Sequence, residues 1–207
     1  LSGQILVGDA TVTSGFRRSD VLLLRQPNQL PDFAPAIAIN HPTLGNTTYT
    51  GVYVASTGLI DLNGFDETIG NADGQTALTI NVGEIRTNGG LLTVIGNIST
   101  NPAQGSQLWT PISAPTISGR LNLGSIARVI DVGGDRGELP FELDLSANVT
   151  GSAGFLLQNS GTLLLSGDNS GLAGDVVRTN GNFAIGSDTA FGTGRVLVNA
   201  GAMTTHG

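Results

Sequence analysis

The chain has no cysteine and no lysine. Without cysteine it can form neither a disulfide framework nor a thiolate metal site. That absence suits exported bacterial proteins, which stay unfolded during secretion. Without lysine, all nine basic residues are arginine; they face 16 acidic residues, and the net charge is -7. No basic cluster exceeds Arg17-Arg18. The phosphate-neutralising patch that nucleic-acid binding requires is therefore missing, and an anionic membrane surface gains no attraction. Charged residues are scarce at 12% and aromatics at 5%, yet the apolar fraction of 39% is not that of a disordered chain. No apolar run approaches the ~20 residues of a membrane-spanning helix, so no membrane insertion of this segment is expected.

What is abundant is glycine, 31 residues with no three-residue period, which sets collagen aside. The glycines alternate with short apolar runs and with turn pairs such as Asn63-Gly64, Asp73-Gly74 and Asn88-Gly89-Gly90. A unit of the form G-x-Φ-x-Φ, with Φ apolar, begins at Gly58, Gly90, Gly119, Gly161, Gly181 and Gly194. In a strand that spacing puts both apolar side chains on one face. Turn signals interrupt every helix-length window, so the chain reads as all-β with roughly eighteen short strands. They include Gln4–Val7, Ala10–Thr13, Gly58–Leu62, Ile117–Leu123 and Phe141–Leu145.

A small repeated unit that cannot bury its own apolar face is expected to stack on copies of itself. The expected fold is a right-handed parallel β-helix, one β-solenoid segment over residues 1–207. At about 20 to 25 residues per coil it would hold about eight to ten coils and form a rod ~40–50 Å long. Two proline-rich stretches, 26–48 and 101–116, break the rhythm and are read as protruding loops. The chain opens at Leu1 and stops at Gly207 just after a strand-like run, and is read as a processed product or part of a longer repeat protein.

Residues 161–201 carry a resemblance. Gly161-Thr162-Leu163, Leu165-Ser166-Gly167, Asn169, Gly174 and Val177 are followed by Gly181, Phe183, Gly186, Ala190, Gly192, Gly194, Val196, Val198, Asn199 and Gly201. This order is similar to the autotransporter-associated β-strand repeat of large bacterial surface and passenger proteins. The phrase from Gly58 to Gly70, GLIDLNGFDETIG, resembles another one common in such proteins. The resemblance implies a right-handed β-helix, export from a Gram-negative-type cell and a structural or adhesive role. It brings no catalytic residues.

The candidates for chemistry each have a plain structural counterpart. Gly167-Asp168-Asn169-Ser170-Gly171 is close to the phrase around a serine-protease nucleophile, but Asn169 interrupts it and suits a corner. His41 and His206 lie in a proline-rich loop and a tail, where a Ser-His-Asp system has no rigid support, and two histidines without clustered carboxylates make no zinc site. Gly133-Gly134-Asp135-Arg136-Gly137 echoes a calcium repeat once, with its aspartate misplaced.

Acidic residues gather at Asp61, Asp66, Glu67 and Asp73 and at Glu138, Glu142 and Asp144. Glu142 and Asp144 fall on one strand face, where they could aim into a groove or form the polar outside of a strand whose Phe141, Leu143 and Leu145 point inward. Three Asn-x-Ser/Thr sequons, at Asn46, Asn97 and Asn148, are of the kind that chance supplies in so Asn- and Thr-rich a chain. Trp109 and Phe33 are the large aromatics of the two irregular stretches and the candidate interaction residues.

The expected function is that of a non-enzymatic, extracellular structural or adhesive solenoid: part of a bacterial surface fibre, biofilm filament or autotransporter-type passenger, assembling end to end. No cofactor or metal is expected. The expected partners are further coils of the same chain, a second copy, or surface glycans. The alternatives are a polysaccharide-active β-helix enzyme, lyase or glycoside hydrolase, and after it a viral tail spike.

Overall fold

The computed structural model describes residues 5–8, 18–32, 37–41, 45–49, 51–55, 57–70, 73–100, 114–134 and 139–198. Among them are 21 strands, each three to five residues long, and no helix. The first sheet has eight strands in the order β1 (Ile5–Val7), β5 (Val52–Val54), β8 (Thr76–Ile80), β11 (Asn97–Ser99), β14 (Arg128–Asp131), β17 (Phe155–Gln158), β19 (Val176–Arg178) and β21 (Val196–Val198). The second has seven: β2 (Asp20–Leu23), β6 (Gly58–Asp61), β9 (Glu84–Arg86), β12 (Thr116–Ser118), β15 (Leu143–Leu145), β18 (Thr162–Leu165) and β20 (Asn182–Ile185). The third has four: β7 (Glu67–Ile69), β10 (Leu92–Val94), β13 (Arg120–Asn122) and β16 (Asn148–Thr150). An antiparallel hairpin of β3 (Ile37–His41) and β4 (Gly45–Tyr49) sits apart from them in the strand order.

Every pairing within the three sheets is parallel. The chain visits the first, second and third sheets in turn, as in β5, β6, β7 and then β8, β9, β10. This is a three-faced parallel β-solenoid. Strands of three or four residues hold too few backbone bonds to persist alone; stacking supplies the partners on both sides.

The apolar half of each G-x-Φ-x-Φ unit becomes a ladder along the stack. On the second face Leu22, Ile60, Ile85, Ile117, Leu145, Leu165 and Ile185 pair rung by rung. On the first face Ile5, Val52, Leu78, Ile98, Ile130 and Leu157 do the same. All of these side chains except Ile185, which is exposed, belong to one continuous buried cluster running from Val7 to Ala190 or, as Ile5 and Leu22, pack against it. Each rung removes an apolar side chain from water, roughly 1.5–3 kcal/mol of transfer free energy, which drives the coil to close.

Coil length is uneven. Over the last coils, hydrogen-bonded neighbours on adjacent coils are 20 to 22 residues apart. Between β9 and β12 the offset grows to 33, because the second proline-rich stretch is inserted there. The eight strands of the longest sheet span roughly 34 Å at ~4.8 Å per step, short of the expected rod because these excursions consume chain without adding rungs.

Residues Ile117–Leu123, expected as one strand, are two. Gly119 turns the corner between β12 and β13 at φ 100, and a Cβ there would lie 2.0 Å from the Thr87 hydroxyl of the coil below. Strands β7, β9, β11 and β16 have no counterpart in the sequence reading: each is three residues long with a single apolar side chain, too little for an alternation to register. The first irregular stretch lies partly on the body, with Leu30 and Pro31 buried. Ala10–Thr13 lies outside the described residues.

Candidate functional site

The acidic residues are the natural place to look for chemistry, and the structure engages them in holding coils together. Glu67 begins β7, in register with Leu92, which pairs with Leu121 and it in turn with Val149. A carboxylate thus occupies the end rung of an apolar ladder, only 1% exposed. One oxygen accepts the Gln29 N–H at 2.8 Å and the other the Thr68 N–H at 3.3 Å. Burial pushes this carboxyl above the ordinary range; the amides of Gln29, Leu30 and Thr68 pull it back in part, and the charge of Asp32 adds to the rise. Residues 24–32 are fastened beside β7 by further bonds, from Asn28 N–H to the Asp66 carbonyl and from Asn63 Nδ2 to the Leu24 carbonyl.

Glu84, on β9, is clasped by two arginines, Arg86 Nε at 2.5 Å and Arg18 Nε at 2.6 Å. Burial alone would raise its carboxyl, but the two guanidinium bonds outweigh it and hold the group below the ordinary range. Arg128 occupies a rung shared with Phe155. Its side chain is nearly buried, and its Nη1 reaches Asp73 at 2.6 Å while its Nε donates to the Leu123 carbonyl at 3.0 Å. Asp61 accepts the Asn63 N–H at 2.7 Å and Asn88 Nδ2 on the next coil at 2.8 and 2.9 Å.

Of the proposed groove pair, Glu142 is buried and accepts the Thr162 N–H at 2.6 Å, while Asp144 is half-buried and accepts the Ser166 hydroxyl at 2.8 Å. Burial raises the Asp144 carboxyl and the Ser166 bond offsets part of the rise. The inward side chains around them are Leu143 and Leu145, with Phe141 half-exposed ahead of the strand.

The protease-like phrase is a corner. Asn169 is 0% exposed and bonds in both directions along the stack. Its Oδ1 accepts the Val149 N–H at 2.8 Å, and its Nδ2 donates to the Ala190 carbonyl at 2.7 Å. Asp168 beside it accepts the Ser170 N–H at 3.1 Å and the Thr189 hydroxyl at 2.8 Å. These bonds, the Ser170 amide foremost, hold its carboxyl low. A nucleophile's neighbours would have to face a substrate; these face the next coil.

The remaining candidates fall elsewhere. Trp109, Phe33, His206 and the segment Asp135 to Glu138 lie outside the described residues. His41 ends β3. Among the described residues no three His, Asp or Glu side chains gather to hold a metal ion, and no helix is long and apolar enough to cross a membrane. The sequence reading missed Glu84, Arg18 and Arg128; the available signal was a charge standing inside an apolar alternation, as at Glu84-Ile85-Arg86.

The two ends of the stack are different in kind from its sides. Apart from Ile126, every exposed large apolar side chain among the described residues lies on β1, β2, β20 or β21. Near one end Phe155, Phe183 and Phe191 form an edge-to-face series with centroid distances of 6.3 and 5.1 Å. The arrangement can stack, fasten and extend coils. No family model, no curated protein and no solved structure matches the chain.

Proposed function

We propose that this chain is a non-enzymatic structural solenoid of a bacterial cell surface, part of a fibre, adhesin or autotransporter-type passenger. One observation carries the reading: the buried polar groups are spent between coils. Glu67, Glu84, Glu142 and Asn169 each bond to a backbone or side-chain group on another circuit of the chain. A stack fastened in this way resists bending and presents small polar side chains outward, which suits a spacer or a surface of repeated weak contacts. The absence of cysteine and the glycine-rich repeat support export. Surface glycans and other copies of the chain are the partners this reading names.

Asp144 favours a second reading, a polysaccharide-active β-helix enzyme, because a half-buried carboxyl held above its ordinary range is what a general acid requires. Antibody staining of intact producing cells, together with chromatography of a panel of acidic and neutral polysaccharides incubated with the protein, separates the two. Labelled intact cells and unchanged polysaccharides are the expected result. Oligosaccharide release that disappears in Asp144→Asn would replace the scaffold reading with the enzyme.

A further inference from the structure

We infer that Asn88-Gly89, on the corner between the second and third faces, is a deamidation site, and that Asp61 of the adjoining coil acts as its brake. The inference is independent of the scaffold reading.

An asparagine followed by glycine converts when the glycine nitrogen, its proton given up to water or hydroxide, attacks the asparagine Cγ. The new N–Cγ bond closes a succinimide ring, the Cγ–Nδ2 bond breaks, and Nδ2 leaves as ammonia. Water then opens the ring at one of its two carbonyls, leaving an aspartate or a β-aspartyl linkage. One water is consumed and one ammonia released, with no oxidant and no cofactor. Glycine favours the step because no Cβ stands beside the attacking nitrogen. The requirements are therefore structural: an uncommitted glycine N–H, room beside it, access for water, and a side-chain amide able to turn.

Two Asn-Gly pairs stack on this corner, and they differ in those requirements. Both asparagines are exposed and left-handed, Asn63 at φ 52 and Asn88 at φ 48. At Asn63 both reacting groups are committed. Its Nδ2 donates to the Leu24 carbonyl at 3.2 Å, and the Gly64 N–H donates to the Thr87 carbonyl at 3.1 Å. A Cβ at Gly64 would stand 3.3 Å from the Asn88 carbonyl, so the next coil limits the space there. At Asn88 the glycine is open. Gly89 is exposed, its N–H makes no hydrogen bond among the described residues, and nothing lies within 4 Å of where a Cβ would stand. It is the Gly90 N–H, not that of Gly89, that takes the Thr87 carbonyl, at 3.0 Å.

What holds Asn88 is its side chain. Nδ2 lies 2.8 and 2.9 Å from the two oxygens of Asp61, and Asp61 is itself fixed by the Asn63 N–H at 2.7 Å. Attack on Cγ requires this amide to turn from Asp61 toward Gly89, so the carboxylate slows the reaction without blocking it. Once the amide is gone the same geometry becomes unfavourable. A carboxylate at position 88 would face Asp61 with no proton between them, and like charges so close oppose each other's ionisation. Conversion thus removes a link between two coils and sets a repulsion in its place. A third pair, Asn180-Gly181, sits where the coil after Val198 lies outside the described residues, so the contrast is between Asn63 and Asn88.

The test is peptide mapping by mass spectrometry of the whole folded protein during incubation at mildly alkaline pH. Position 88 should show the amide-to-acid mass change well before position 63. In urea, where the fold is gone and each asparagine keeps its glycine, the two should convert at similar rates. Asp61→Ala should speed conversion at 88 about three- to tenfold, the range of one exposed hydrogen bond to a charged group. Asp61→Asn, which keeps an uncharged acceptor, should speed it by less, with circular dichroism certifying the fold of both. Asn88→Asp, which copies the product, should lower the urea midpoint, and adding Asp61→Asn should recover part of the loss by restoring one amide opposite one carboxylate.

No conversion at 88, conversion at 63 that matches or precedes it in the folded protein, or a difference that persists in urea would each overturn the inference. So would a rate at 88 in Asp61→Ala no faster than that of the wild type.

Discussion

Glu67 stands in register with Leu92, a carboxylate beneath a leucine on the same ladder, and its carboxylate takes up the Gln29 amide, from residues 24–32, where the sheet has no further strand among the described residues. The ladder ends there because a charged, hydrogen-bonding rung cannot be buried under another apolar one without loss of its partners.

The pH dependence of this rung follows from its raised carboxyl. A group whose folded pKa lies above its unfolded value of about 4.5 favours the folded state while protonated; that contribution is full below about 4.5 and is lost as pH rises through the folded value. Glu67→Gln keeps an oxygen for the Gln29 amide and cannot ionise. The melting temperature of the wild type should therefore fall relative to that of the variant as pH rises above 4.5, and the gap should narrow in acid. A gap that stays constant across that range would show that burial does not govern this carboxyl.

Glu84 should behave in the opposite sense. Its folded pKa is depressed, so its contribution is present above the unfolded value of about 4.5 and is lost as pH falls through the folded one. Glu84→Gln should cost roughly 1–2 kcal/mol near neutral pH, at the lower side of bonds to charged groups because Arg18 is half exposed. The difference between wild type and variant, measured by urea denaturation, should shrink below pH 4.5. Arg18→Met should remove only part of it, since Arg86 remains in place.

Asn169→Ala strands two groups at once, the Val149 amide and the Ala190 carbonyl. Each buried unsatisfied group costs about 1–3 kcal/mol, so the variant should lose a substantial part of its stability. Hydrogen exchange at the Val149 amide should accelerate more than at the Leu163 amide. Asn169→Asp keeps the acceptor but not the donor and should not restore the wild-type value.

Much of this architecture was legible in the residues. In the first four G-x-Φ-x-Φ units the two apolar positions are buried, as at Ile60 and Leu62 or Leu163 and Leu165. The unit did not reveal its face: the copy at Gly58 lies on the second sheet, the one at Gly90 on the third and the one at Gly194 on the first. All three faces make the same demand on a side chain, so nothing local distinguishes them. The polar stitching was legible only in part. Asn169 could be assigned to a corner by type, but its bonds to Val149 and Ala190 depend on how coils 20 and 21 residues away align. Glu67 was visible only as one of a group of acidic residues and Glu84 not at all, because their partners, Gln29 and Arg18, are distant in sequence and come from the first, irregular coil.

Two glycines with left-handed backbones separate the cost of conformation from the cost of stacking. Gly74 has φ 76 and nothing within 4 Å of where a Cβ would stand; Gly119 has φ 100 and the Thr87 hydroxyl at 2.0 Å. Gly74→Ala should cost about 1–2 kcal/mol, the conformational penalty alone. Gly119→Ala carries the same penalty and collides with a buried hydroxyl that already accepts the Arg120 N–H at 2.9 Å. Overpacking of that kind adds about 1–3 kcal/mol. Adding Thr87→Ala to Gly119→Ala removes the colliding atom, so the alanine at 119 should cost less in that background than in the wild type. A double-mutant cycle from urea denaturation measures the difference. If the two backgrounds gave equal costs, the close approach of β12–β13 to the coil beneath would not be what requires glycine at that corner.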